Sequence, residues 1–179
     1  MLLLACSLVK TVAQASHDGA RDFEWEIGEW STRVRVRAPL SRAAEWIEFT
    51  GTSKVVALAN HRANVVDLAV ANDQRPIEGV SLRLYDPASQ QWTLHFASIA
   101  DGKLTPPVSG SFENGRGVFF GCDQVNGRAV LVRFVISDIT ANTARFVQSY
   151  SDDGGQTWVD NWIAIDTRRS GAIESGAGK

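Results

Sequence analysis

Two arginines set inside apolar runs are the residues best placed to do chemistry in this chain. Arg83 interrupts Val80-Ser81-Leu82-Arg83-Leu84, and Arg133 interrupts Val130-Leu131-Val132-Arg133-Phe134-Val135. A charge buried without a partner costs several kcal/mol or more, so each should be paired. Either could anchor a carboxylate or enolate on an apolar ligand; the structural alternative is an internal ion pair, or a guanidinium reaching outward across a sheet. His95, in Trp92-Thr93-Leu94-His95-Phe96, shares a strand face with Thr93 and Ala97. If that face lines an interior, His95 could act as a general base or hydrogen-bond a ligand; otherwise it is bonded to the sheet or solvated. His61, in Ala59-Asn60-His61-Arg62, falls in a turn between strands, where it could border the mouth of such an interior or sit in solvent. Gln148 and Tyr150 alternate with Phe146 on one face, while Trp46 and Trp162 alternate with polar neighbours and serve either as core or as flat pocket walls. The candidate ligand-binding set is therefore Trp46, His61, Arg83, His95, Arg133, Gln148 and Trp162, with His95 the one catalytic candidate.

Other chemistries lack their residues. His17, His61 and His95 are the only histidines, and no pair has the short spacing of a zinc site, so no metal is expected. No Gly-x-Ser-x-Gly, phosphate-binding or dinucleotide-binding motif occurs, and no cofactor is expected. The net charge is −2 with no block of like charge, which removes the electrostatic footprint that nucleic acid requires. Arg33, Arg35 and Arg37 form a solvated face opposite Val34 and Val36. Cys122, in Val118-Phe119-Phe120-Gly121-Cys122, reads as a small buried residue.

The elements that must position these side chains are strands. Runs of β type and turn signals alternate from Glu29 onward, with strands expected at 29–38, 44–58, 63–72, 78–87, 90–99, 107–113, 116–125, 128–138, 143–152 and 157–168. Asn114-Gly115 and Asn126-Gly127 are two-residue hairpin turns, since both central residues of a type I′ turn need positive φ. Asp86-Pro87 starts a third turn. About ten antiparallel strands joined as a meander favour closure into an up-and-down barrel, because closure removes exposed edges; a two-sheet sandwich is the alternative. Barrels of this size can enclose one small ligand. Before the first strand, Phe23, Ile27 and Trp30 have the spacing of one helical face, so a short N-terminal helix gives way to a strand at Gly28-Glu29-Trp30.

A length of 179 residues with 44% hydrophobic content suits one domain, placed at 16–169. Met1 to Val9 is apolar and Ala13-Gln14-Ala15 has the small-x-small form of a signal-peptidase site, so residues 1–15 read as a signal peptide of a secreted or periplasmic protein. The absence of a positive n-region and the position of Lys10 leave open a mis-assigned start, and with it a cytoplasmic protein. The apolar run is too short to span a membrane. With cleavage after Ala15 only Cys122 remains, and no intramolecular disulfide can form. Residues 170–179, rich in Gly, Ala and Ser, read as a flexible tail.

Two segments carry family resemblances. Gly28-Glu29-Trp30 after a short helix resembles the Gly-x-Trp that opens the first strand of lipocalins and related calycin barrels. There an Arg or Lys from the last strand packs on the Trp, a contact that Arg168 or Arg169 could supply. The span Asp22–Arg169, with Leu84-Tyr85-Asp86-Pro87 and Asn161-Trp162, resembles an uncharacterised bacterial lipocalin-like family with no settled activity. Ser151-Asp152-Asp153-Gly154-Gly155-Gln156-Thr157-Trp158 resembles the Asp box of sialidase propellers. One copy in a short chain implies a turn built around the Asp153 carboxylate, and no catalytic carboxyl pair is identifiable. Two functional readings stand. The first is binding of a small apolar or amphipathic molecule inside a lipocalin-like barrel. The second is a cofactor-independent enzyme of isomerase, cyclase or decarboxylase type, which requires His95 and an Arg to converge on one cavity. Oligomeric state is open, a homodimer among the options.

Overall fold

The computed structural model describes residues 18–169. The expected signal peptide, His17 and the expected tail at 170–179 lie outside the described residues. Eleven strands follow the N-terminal segment: β1 (Gly28–Val36), β2 (Ile47–Leu58), β3 (Ala63–Ala71), β4 (Pro76–Asp86), β5 (Gln91–Ser98), β6 (Lys103–Leu104), β7 (Val108–Glu113), β8 (Arg116–Val125), β9 (Arg128–Ser137), β10 (Thr143–Ser151) and β11 (Val159–Arg168). All but the two-residue β6 correspond to strands expected from the sequence. The pairing order β4-β3-β2-β1-β11-β10-β9-β8-β7-β5 is closed by β4 against β5, giving a ten-stranded antiparallel barrel. The two Asn-Gly hairpins form with positive φ at both residues, 51° and 75° at Asn114-Gly115 and 52° and 76° at Asn126-Gly127.

Period-two alternation fixes the inside. In β1, Trp30, Thr32 and Val34 are buried while Ser31, Arg33 and Arg35 are exposed. The same parity carries Arg83 and Tyr85 of β4, Trp92 and Leu94 of β5, and Phe119 of β8 into the interior. Cys122 is a correction: it falls on the opposite parity and is exposed on the outer face.

The N-terminal segment shuts one end. It consists of two single-turn 3-10 helices, Gly19–Arg21 and Glu24–Glu26, the first capped by Asp18 Oδ1 accepting from the Ala20 amide at 3.1 Å. The helical face expected through Ile27 ends early, because Ile27 has already turned to extended backbone (φ −55°, ψ 128°). Phe23 enters the barrel and meets Trp92 and Phe112 edge-on, each with ring centroids 4.9 Å apart. Burying that ring stabilises the fold by roughly 1.5–3 kcal/mol. Trp30 Nε1 donates to the Glu26 carbonyl at 2.6 Å, and the Arg168 guanidinium lies 4.1 Å from the Trp30 ring centroid. Arg168 also donates to the carbonyls of Ile27 (2.9 Å), Ala141 (2.8 Å) and Trp25, so one side chain ties the last strand to the plug. Arg169 instead faces Glu29 at 3.9 Å.

Candidate functional site

Between the plug and the opposite end, the interior holds a cavity of about 160 Å³. Its apolar walls include Leu68, Phe96, Phe134, Phe146 and Trp162, and exposed Thr105 and Pro106 border its opening to solvent. Glu26 and Arg83 stand at its plugged end. The Arg83 Nη1 and Nη2 groups grip the two Glu26 carboxylate oxygens, the longer contact being 3.1 Å. Arg83 is 7% exposed and its guanidinium lies 4.3 Å from the Phe23 ring centroid. A buried, two-pronged pair of this kind leaves neither partner an uncompensated charge. Arg83 Nε and Trp25 Nε1 have no hydrogen-bond partner, yet both are sealed by packed atoms.

Asp166, on β11, is the second interior carboxylate. It shares the inward parity of Trp162 and Ala164, and burial pushes its carboxyl up from an ordinary 3.8 to about 6, with Thr32 opposing the shift. Thr32 Oγ1 donates to Asp166 Oδ1 at 2.6 Å, and with that proton committed the Ser53 hydroxyl donates to Thr32 at 3.0 Å. Asp166 forms no ion pair among the described residues. Nearer the open end, Gln148 Nε2 donates to Tyr150 Oη and Asn161 Oδ1, each at 3.2 Å, and Tyr150 Oη donates to Asp123 Oδ2 at 2.9 Å. Burial, reinforced by the Asp123 charge, raises the Tyr150 phenol, so Tyr150 is a fixed donor at neutral pH.

The structure brings together Arg83, Gln148 and Trp162 of the sequence-derived set and disperses the rest. His95 borders the cavity wall, but it lies opposite Leu82 on the outward parity between inward Leu94 and Phe96, so its side chain is on the outer face. The convergence of His95 with an Arg, which the enzymatic reading required, does not occur. Arg133 also points outward. It packs 4.4 Å from the Trp158 ring centroid beside Ser149 and Asp160, and desolvation there outweighs the Asp160 charge and lowers its pKa. His61 belongs to the β2–β3 turn at the plugged end, where Nδ1 is 3.3 Å from Glu24 Oε1, away from the cavity opening. Trp46 precedes β2 on the outside, stacked by Arg37 at 4.5 Å and Arg35 at 5.2 Å, so those two arginines are not simply solvated. Glu26, Thr32, Asp123 and Asp166 are site residues the sequence reading missed. The signal for Asp166 was present: counting by twos from Trp162 puts it on the same face. Among the described residues no three His, Cys, Asp or Glu side chains converge as a metal site, and no helix is long and apolar enough to cross a membrane.

No protein-family model and no curated protein sequence matches the chain. An S-type phycobiliprotein lyase from Guillardia theta is similar in structure, with a TM-score of 0.57 at 12% identity, covering 83% of this chain and 91% of that one. A protein of the DUF3598 family from Nostoc punctiforme PCC 73102 matches at a TM-score of 0.23 and 8% identity over 86% of this chain and 100% of that one, too low to bear on the fold. The barrel fits a calycin-like fold, and at these identities the likeness extends to fold alone.

Proposed function

We propose that the barrel binds one small, mostly apolar molecule in its interior. The observation that carries this reading is the cavity itself: a space of about 160 Å³, walled by Leu68, Phe146 and Trp162, lies inside a closed barrel and opens at the end opposite the plug. Protein interiors are ordinarily packed without voids much larger than a water molecule, so a space of this size lined by apolar side chains marks a site. Its volume also limits the ligand. Roughly 150 Å³ accommodates a benzene-sized molecule, whereas drug-sized ligands occupy roughly 300 Å³ or more. A single ring or a short aliphatic chain fits, with any larger portion left outside. The fold likeness to a protein titled a phycobiliprotein lyase supports a calycin-type interior without naming a ligand.

The test is a titration with toluene followed by thermal unfolding. At ten times the dissociation constant the melting temperature should rise by about 3–6 °C. Leu68→Phe, which adds volume inside the cavity, should abolish the rise. A melting temperature unmoved by single-ring compounds of every polarity would count against an interior site.

A further inference from the structure

Which hydrogen-bonding atoms the cavity leaves unmatched says what kind of molecule it takes. Most of its donor atoms are engaged. Thr32 donates to Asp166, Ser53 to Thr32, both Gln148 amide hydrogens to Tyr150 and Asn161, Tyr150 to Asp123, and the Arg83 Nη groups to Glu26. Of the unpartnered donor atoms, Arg83 Nε and Trp25 Nε1 are sealed from the cavity, and the indole Nε1 of Trp162, which has no partner among the described residues, offers a neutral N–H. The acceptors are different. Asp166 Oδ1 receives Thr32, but Oδ2 has no partner among the described residues and is not among the sealed atoms, so it is open to the cavity. Gln148 Oε1 is open in the same way. Thr105 Oγ1 donates to the Phe96 carbonyl at 3.2 Å, and Ser81, the one wall hydroxyl without a partner among the described residues, can either donate or accept.

The charges agree with the hydrogen bonds. Arg83 neutralises Glu26, which leaves the Asp166 carboxylate without a countercharge in a largely apolar space. Neither arginine of the wall is free for an anionic ligand, since Arg83 is engaged with Glu26 and Arg145 lies on the outward parity between Ala144 and Phe146; Arg133 is on the outer face. This reverses the expectation of a cationic anchor for a carboxylate or enolate. We propose that the cavity takes a small organic amine, its ammonium group donating to Asp166 Oδ2 and its apolar body lying against Leu68, Phe146 and Trp162. The assignment rests on the reading of the cavity as a ligand site and adds the ligand's charge to it.

Three probes that share one ring separate the two claims: benzylamine, benzyl alcohol and benzoate, titrated calorimetrically into the full chain at pH 7.5. Benzylamine should bind at least about tenfold more tightly than benzyl alcohol, because a hydrogen bond to a charged group is worth that much, and benzoate should bind most weakly. In Asp166→Asn, which keeps an acceptor for Thr32 and removes the charge, the preference for the amine should vanish. Benzyl alcohol binding as well as benzylamine, or an amine preference that survives Asp166→Asn, overturns the amine assignment and leaves the interior site standing. If none of the three binds, both fall. The ranking on the unsubstituted chain decides the matter by itself should the variant fail to fold.

Discussion

At the scale of single residues, Asp166 is held at a cost to the fold. Its carboxyl titrates at about 6 in the barrel instead of 3.8, a displacement worth roughly 3 kcal/mol at the ordinary conversion of pKa into free energy. The folded-state value is the higher one, so the folded chain binds this proton more tightly than the unfolded chain. The penalty is therefore absent below about pH 4, grows as pH rises and is complete above about pH 6. Asp166→Asn should raise the unfolding free energy at pH 7.5 by about 1–3 kcal/mol and leave it nearly unchanged at pH 4, as read by urea unfolding at the two values. A stability gain of the same size at both would mean that the carboxylate is not what the site carries at a cost. The sequence made Arg83 legible, because a charge in an apolar run demands a partner, and Glu26 is that partner. It left Arg133, whose run has the same appearance, between the interior and the outer face, and the structure takes the outer one because a ring there, Trp158, covers that side of the sheet.

Among the elements, the hairpin between β10 and β11 shows how a local motif becomes part of the wall. Asp153 Oδ1 accepts from Ser151 Oγ at 2.7 Å and the Thr157 amide at 2.9 Å, and Oδ2 accepts from Thr157 Oγ1 at 2.7 Å. The backbone and side-chain bonds from Thr157, with that from Ser151, hold the Asp153 carboxyl down at about 2. Since this value lies below that of the unfolded chain, the contribution is present above about pH 4 and is lost as pH falls toward 2. Asp153→Ala should speed hydrogen exchange at the Thr157 amide, which loses its acceptor, while amides in the middle of β1 and β2 keep their protection. Equal loss of protection in those strands would show that the turn is not a separate unit. The hairpin also aims Trp158, which lies against Phe120, with ring centroids 5.9 Å apart, as well as Arg133. The sequence specified the turn fully, since all its partners lie within seven residues, but the surface on which Trp158 lands belongs to β8 and β9.

For the molecule as a whole, the plug and the cavity divide one barrel interior between stability and binding. Phe23, Trp92, Phe112 and Phe119 fill the plugged end, while the other end keeps open space. Phe23→Ala should cost about 3–5 kcal/mol, because the neighbouring rings cannot collapse into the vacated volume. Urea unfolding measures that loss; a cost below about 1 kcal/mol would mean that the N-terminal segment merely covers the barrel. The ten strands of the barrel, the hairpin positions and the Gly-x-Trp plug were written in the chain itself, since period-two alternation and turn conformation are properties of neighbouring residues, whereas the choice of Arg168 over Arg169 was made by the fold. Pairing of the first strand, β1, with the last, β11, was decided by the tertiary structure, as were the outward turn of His95 and the unmatched oxygen of Asp166. Those depend on which side of each strand faces in and on which partners, more than a hundred positions away in the case of Thr32 and Asp166, the closed barrel brings within reach.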